Sequence, residues 1–592
     1  MNRSPLTPSD LVVIGGYFLL VIWVGLYFRK RMKALEDYFA GGHNVPWWLA
    51  GVSHYMSSFS AFSFVAYAQM AYTYGWVAIT LFWVTLPACV MGGLFFARAW
   101  RRADVITPVE FLERRFNLPV RQVFAWAGLP MKVFEDALKI FATSLFLSLA
   151  VGVSVPWSIV TCGAVTVAYT VFGGLWALVV TDYVQFLMKA LAILLLLPLA
   201  LWRAGGIHAA FAGLPPGFLH PTNGPYNWIY LAGFTVLITI SYNGSWALAQ
   251  KYYSVRSESD ASKAAYVSAA LNFIGAPIMI LPAMIGRHFL PDLVAQHHTA
   301  DTYALLVLTL LPPGMVGIIV AALLSATMAT VSADFNAIAS VLTEDVYHRL
   351  VRPHATGRQL VRVGRITTLL LGTLVVSASV WIAFSGDQSL FQLMVVVAGV
   401  FLAPTFLPLL AALTVRKLNS TGALTGFIVG LTSGFAMLAV KTWYVGHAGP
   451  GWVKDGFDGI AILVNTSMTI LGMYAGTIVW RTSAAEQESA RAFFRPAARP
   501  AAGASALSDQ GAYRSAIAKL TVGVGLLLAI AGVVARDASA RAIDGSVALA
   551  LIVLAAIQYR GTRIRHNERT APEGARQANH HVRKSSTKSP TS

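Results

Sequence analysis

The chain has 592 residues, of which 56% are hydrophobic and only 12% charged, with a mean hydropathy of +0.62. This excludes a water-soluble domain and indicates an all-α polytopic protein embedded in a lipid bilayer. The net charge of +18 does not point to nucleic acid, because Lys and Arg sit in short connectors and the C-terminal tail, as positive-inside topology requires, rather than on a basic face interleaved with aromatics.

Apolar stretches of roughly 17 to 30 residues recur along nearly the whole chain, about 15 of them long enough to cross the hydrocarbon layer. The two cysteines, Cys89 and Cys162, each lie inside an apolar stretch, which favours packing over a disulfide or a thiolate metal site. The first apolar run, residues 11–28, exceeds a signal h-region and is followed by Arg29, Lys30, Arg31 and Lys33. It reads as an uncleaved helix with the N-terminus outside. Alternation from there places Arg98, Arg101 and Arg102 inside, then Lys251 and Arg256, then Arg349, Arg352, Arg358 and Arg362, then Arg416 and Lys417. The basic tail also falls inside if residues 520–534 and 547–557 both span.

The second stretch, residues 45–72, opens with Pro46, Trp47 and Trp48 and turns polar at Ser53, His54, Ser57, Ser58, Ser60 and Ser63. In lipid this density suits either an interrupted helix or a seam of small residues between helices. After residues 75–100, the connector ITPVEFLERRF reads as a short amphipathic surface segment. The next helix, about residues 121–151, carries Lys132, Glu135, Asp136 and Lys139; Lys132 with Asp136 and Glu135 with Lys139 form i, i+4 pairs, and a solute contact by Lys139 is the alternative. Residues 155–172 and 175–202 flank a tight turn at Gly173 and Gly174. The second of them aligns Thr181, Asp182, Gln185 and Lys189 on one face, where a cation or Lys189 must compensate Asp182.

Residues 226–250 hold a second polar interruption, SYNGSW, around Gly244. Two interrupted helices in corresponding positions of two five-helix halves, residues 45–202 and 226–414, indicate an inverted-repeat transporter with a midplane site. Residues 321–347 are apolar enough to lie in a membrane yet carry Ser325, Thr327, Thr330, Ser332, Asp334 and Asn336 near the middle, so this helix is expected to line an ion path. Gly422, Gly426, Gly430 and Gly434 repeat every fourth residue, a close-packing seam before a dimer contact. His297, His298, His580 and His581 lack ligand-spaced partners and read as solvated.

DYFAGGHNVPWW at residues 37–48, ITPVEFLERRF at 106–116, GGLWALVVTDYVQ at 173–185 and the helix ending in TEDVY together make the chain similar to the sodium:solute symporter family over about residues 37–440. The resemblance implies a five-plus-five inverted-repeat (LeuT-like) core, with one N-terminal and about four C-terminal extra helices. The divisions are residues 1–44 for the extra helix and connector, 45–202 and 226–414 for the repeats around an external loop at 203–225, 415–559 for the extra helices and 560–592 for the cytoplasmic tail.

The resemblance further implies a sodium site at the carbonyls of Met56, Phe59 and Ala326, completed by two adjacent hydroxyls. Ala329 and Thr330 occupy those positions, so one hydroxyl is missing. Asp182 and Ser332 match a second cation site. Asp334, one turn from Thr330, either adds charge to the sodium site, carries a proton, or pairs with a neighbouring helix or a wet vestibule. Positions of sugar contacts fall on Ser63, Phe82, Ile238, Asn272 and Val396, too apolar for a hexose. The groups at the two breaks, His54, Ser57, Ser58, Tyr242, Asn243 and Trp246, are expected around a pocket for an amino acid, a small carboxylate or a modified sugar. The implied function is sodium-coupled symport of a small organic solute across the cell membrane, Na+ being the coupling ion and H+ the alternative; a monomer suffices. An uncoupled transporter or a membrane sensor is the alternative function. HExxH, GxSxG and Walker-type patterns are absent from the sequence, so an enzyme is not expected.

Overall fold

The computed structural model describes residues 7–29, 41–296, 298–311, 315–384, 390–445, 451–480 and 482–495, with scattered positions between 518 and 556. Residues 1–498 and 499–592 form separate units, and helices α1 to α18 belong to the first. Its described residues form helices and no strands, as a chain in lipid must when each backbone group needs a partner within its own segment.

The helices in order are α1 (Pro8–Arg29), α2 (Trp47–Ser57), α3 (Ala61–Tyr74), α4 (Val77–Ala103), α5 (Phe111–Arg115), α6 (Leu118–Val151), α7 (Val155–Arg203) and α8 (Ile207–Phe211). There follow α9 (Trp228–Gly244), α10 (Trp246–Tyr253), α11 (Glu258–Ile285), α12 (Thr302–Leu310) and α13 (Val316–Ser340), which continues as π-helical turns to Val351. The set ends with α14 (Gly357–Ala383), α15 (Leu390–Thr414), α16 (Ser420–Val445), α17 (Gly451–Val479) and α18 (Ala484–Phe493).

Among the described residues eight helices are long and apolar enough to cross a membrane, or nine if the bent pair at α6 and α7 counts as one span. The sequence predicts about 15 stretches by length alone. The difference arises partly because broken helices are too short in each half, and residues 520–534 and 547–557 lie mostly outside the described residues. Helical backbone is assigned from Val155 to Arg203 through Gly173 and Gly174, and within it Val155–Ala168 and Leu178–Arg203 are distinct apolar segments on either side of the two glycines.

Helix α13 is the axis of the unit. Its most apolar window is wholly buried, against 22% for the corresponding window of α16, so α13 is surrounded by protein while α16 faces outward. Asp10 pins α1 to the start of α13: its Oδ1 accepts the Gly317 N–H at 2.6 Å, and a Cβ at Gly317 would lie 2.6 Å from the Asp10 backbone. The entrance to α2 and the exit of α10 are also joined. Val45 N–H donates to Ser254 O at 3.1 Å, and the His43 ring bonds Tyr253 O at 2.6 Å.

The glycine repeat on α16 packs against α17. A Cβ at Gly422 would meet Thr477 Oγ1 at 2.1 Å, and one at Gly426 would meet Met473 Cγ at 2.3 Å. The repeat is thus an intramolecular seam in which backbones approach closely.

Candidate functional site

Two helices are interrupted where the serine-rich and SYNGSW segments fall. The first break leaves Ser58, Phe59 and Ser60 between α2 and α3, and the second leaves Ser245 between α9 and α10. Ser58 Oγ turns back to Tyr55 O at 2.9 Å, a local bond that competes with helix continuation. At the second break Gly244 is required by a close approach, since a Cβ there would stand 2.6 Å from Phe406 Cβ of α15.

Both breaks open onto one cavity of ≈ 90 Å³. Ser57, Ser58 and Ser60 line it from the first break, and Ser241, Tyr242 and Ser245 from the second. Tyr67, Phe82, Phe234 and Phe391 form an aromatic wall, with Tyr67 5.1 Å from Phe82 and 5.6 Å from Phe391 between ring centroids. On another side stand Lys132, Glu135 and Lys139 of α6 and Asp334 of α13.

These charges form one buried cluster. Lys139 Nζ lies 2.8 Å from Asp334 Oδ2, 2.9 Å from Asp136 Oδ1 and 3.0 Å from Glu135 Oε1. Lys132 Nζ lies 2.8 Å from Glu135 and 3.2 Å from Asp334. The sequence pairing is corrected in one respect: Glu135 does meet Lys139, but Lys132 takes Glu135 and Asp334 in place of Asp136. Two ammonium groups thus face three carboxylates, a formal charge of −1 with every group ionised, and Glu135 is the most exposed of the five.

A hydroxyl chain joins α6 and α13 to α3. Ala61 N–H donates to Thr327 Oγ1 at 3.2 Å, and Thr143 Oγ1 donates to Lys139 O at 2.8 Å. Since the Thr143 proton is thereby committed, the 2.5 Å contact between the two threonines is donated by Thr327. The first turn of α3 is in this way wired through α13 to α6.

The expected sodium-site residues Met56, Phe59, Ala326, Ala329 and Thr330 are all buried at the packing of α2 and α3 on α13. Met56 O accepts the Phe59 N–H at 3.3 Å. Thr330 Oγ1 donates to Thr327 O at 3.1 Å and Ala326 O at 3.3 Å, leaving its lone pairs for a cation. Asp182 is fully buried on α7; its Oδ2 accepts the Ser53 hydroxyl of α2, and its Oδ1 has no hydrogen-bond partner. Ser332, on the facing helix, donates to Ala329 O at 3.4 Å.

Lys189 does not bond Asp182. Its ammonium rests over the Phe59 and Tyr55 rings, 3.5 and 3.9 Å from their centroids. Lys251, expected in a cytoplasmic loop, is instead fully buried within α10. Helix period rather than connector length decides this, because α10 extends to Tyr253.

Of the expected solute residues, Ser57, Ser58, Ser63 and Tyr242 line the cavity. His54, Asn243, Trp246 and Asn272 do not. The His54 ring stacks on Tyr252 at 4.9 Å and bonds Ser268 Oγ at 2.9 Å. Asn243 donates to Ala88 O at 3.1 Å, and Asn272 to Ser268 O at 2.8 Å. Trp246 packs over Gly128, where a Cβ would lie 2.6 Å from the indole. His54, Asn243 and Trp246 thus bond or pack between helices, while the Asn272 amide bonds within α11. Among the sugar-contact positions, Phe82 and Ile238 also line the cavity, while Val396 lines a separate crevice. His298 lies 3.6 Å from Asp301; His297, His580 and His581 are outside the described residues.

The family model for the sodium:solute symporter family matches residues 38–430. The chain belongs to the sodium:solute symporter family. The symporter is 25% identical over 448 residues to the sodium/sialic acid symporter SiaT of Proteus mirabilis (strain HI4320), covering 73% of this chain and 89% of that one. It is 27% identical over 485 residues to sodium/glucose cotransporter 2 of Rattus norvegicus, covering 74% and 72%. Its fold matches that of a Na+-coupled sialic acid symporter in a substrate-bound, outward-open state, with a TM-score of 0.68, 22% identity and coverage of 80% and 98%. The symporter is accordingly a multi-pass transporter with a LeuT-like core, not an enzyme.

Proposed function

We propose that this symporter couples sodium entry to uptake of a small organic solute, by alternating access around the cavity between the two breaks. The observation that carries this is that one cavity receives hydroxyls from both interrupted helices, while the buried helix α13 packs against the first of them. No covalent step is needed. Sodium is held as cargo by the Met56, Phe59 and Ala326 carbonyls with Thr330, and a second cation by Asp182 with Ser332. The unpartnered Asp182 oxygen supports the second site, because a lone buried carboxylate oxygen is costly without a cation. Ala329 contributes no side-chain ligand.

The solute rests on Ser57, Ser58, Ser63 and Tyr242 against the aromatic wall, and an amino acid, a small carboxylate or a modified sugar suits this lining. Cation binding joins the first break to α13 and favours one arrangement of the helices around the cavity, which links the two affinities reciprocally. The N-terminus lies outside the cell membrane and the arginine-rich connectors inside. Purified protein reconstituted into sealed vesicles provides the test: accumulation of amino acids, carboxylates or sugars is expected to follow an inward sodium gradient. Accumulation driven equally well without sodium, or by a proton gradient alone, overturns sodium coupling.

A further inference from the structure

Away from the transport cavity, a second opening of ≈ 780 Å³ lies where α5, the connector between α15 and α16, and α18 meet. Its lining includes five cationic side chains: Arg115, Arg416, Lys417, Arg491 and Arg495. Among the described residues no carboxylate lines it. Glu486, close by on α18, accepts the Ser420 N–H at 2.5 Å through its Oε1 and leaves one negative charge near Arg115.

Arg115 organises the opening. The residue is 1% exposed, and its Nη2 donates to Arg416 O at 2.8 Å and Leu418 O at 2.7 Å, fixing the connector that carries Arg416 and Lys417. Its Nε is buried without a partner. The Phe494 ring lies 5.5 Å from both the Arg115 and the Arg416 guanidinium carbons, which orients the two cations without neutralising them. Five like charges around one concavity repel one another, and the neighbouring Glu486 offsets only one of them.

The opening also sits at a membrane boundary. Membrane-crossing α16 begins beside it at Ser420, and α17 ends beside it, with Ile478, Val479 and Trp480 59%, 66% and 53% exposed. An apolar strip therefore adjoins a cationic concavity. Guanidinium forks match phosphate oxygens in geometry as well as charge, and basic clusters next to a span attract anionic lipid.

We infer that this opening is a binding site for a phosphate-bearing anion, supplied by the headgroup of an anionic phospholipid whose acyl chains lie along the exposed end of α17. The site is separate from the transport cavity and does not depend on which solute or ion the protein carries.

Thermal melting of the full chain in detergent tests it, with phosphatidylglycerol, phosphatidylcholine or inorganic pyrophosphate added. Phosphatidylglycerol is expected to raise the melting temperature and phosphatidylcholine to leave it unchanged. The R416Q/R491Q/R495Q variant should lose the phosphatidylglycerol shift, with Arg115 kept because it holds the connector. A control variant, R352Q/R358Q/R362Q, removes the same charge from exposed arginines elsewhere and should keep the shift. If the first variant cannot be purified, R495Q alone should reduce the shift in the same direction. A shift produced only by pyrophosphate, and lost in the first variant, keeps the phosphate site but assigns it to a soluble anion. Equal loss in both triple variants, undiminished shifts in the first, or no shift with either phosphate compound overturns the site.

Discussion

Lys139 Nζ stands 2.8 Å from Asp334 Oδ2 and 2.9 Å from Asp136 Oδ1, so a single ammonium ties a carboxylate of α6 to one of α13. Removing it leaves three buried carboxylates against Lys132 alone, a formal charge of −2. Removing Asp334 instead leaves two lysines against two carboxylates. Lys139→Met is therefore expected to be the more damaging change, by about 3–5 kcal/mol as for other broken buried pairs, and Asp334→Asn the milder. Melting temperatures of the two variants in detergent decide the order, and the reverse order would refute the charge count.

Thr327 and Thr330 lie three residues apart but do different things. Thr327→Val strips the acceptor from Ala61 N–H and the donor to Thr143, which should cost about 1–3 kcal/mol and loosen the first break. Thr330→Ala removes a hydroxyl bonded only within its own helix, so it should raise the sodium concentration for half-maximal uptake with little change in melting temperature. Sodium titrations of uptake beside melting curves separate the two effects; unchanged sodium dependence in Thr330→Ala removes it from the site.

Asp182→Asn converts the unpartnered carboxylate oxygen into a neutral amide group. Sodium stimulation of uptake is expected to fall several-fold, while Ser53 keeps a hydrogen-bond partner and the fold persists. Full sodium stimulation in this variant would assign the second cation elsewhere.

Gly426→Val tests the α16–α17 seam, because a side chain there meets Met473 at 2.3 Å. Overpacking of this kind typically costs about 1–3 kcal/mol. A lower melting temperature with an unchanged sodium requirement is the expected pair of results, since neither helix lines the central cavity.

At the connector face, Glu113 bonds Arg349 at 2.6 Å and Arg121 at 2.7 Å. The Arg349 hydrogen bond, foremost, holds its carboxyl below the usual carboxylate range. A depressed folded value means the stabilisation is present above the unfolded value and lost as pH falls through the folded one. Melting temperature should thus decline as the medium is acidified through and below the ordinary glutamate range, with a shallower decline in Glu113→Gln. Parallel declines in both proteins would place the acid sensitivity in other groups.

Much of the architecture was legible in residue order. SYNGSW pointed to the second break, whereas Ser53 to Ser63 suited either a break or a seam of small residues, because a polar stretch in lipid needs partners wherever they lie. The polar centre from Ser325 to Asn336 likewise required protein on that side of the helix, and α13 is the most enclosed span. The Glu135–Lys139 pair was readable because partners four residues apart share a helix face.

The partners of Asp334 were not readable, since Lys139 is 195 positions away and only the packing of α6 on α13 brings the two together. For the same reason the sequence could not show that Lys189 rests on the Tyr55 and Phe59 rings, or that Lys251 is buried. Nor could it show that His54, Asn243, Trp246 and Asn272 turn from the cavity into helix packing. Composition and helical period are local properties, and by themselves they determined a polytopic membrane protein with polar interruptions in its spanning helices. Which buried charge meets which, and which polar side chains face the cavity, are long-range outcomes that only the assembled helices decided.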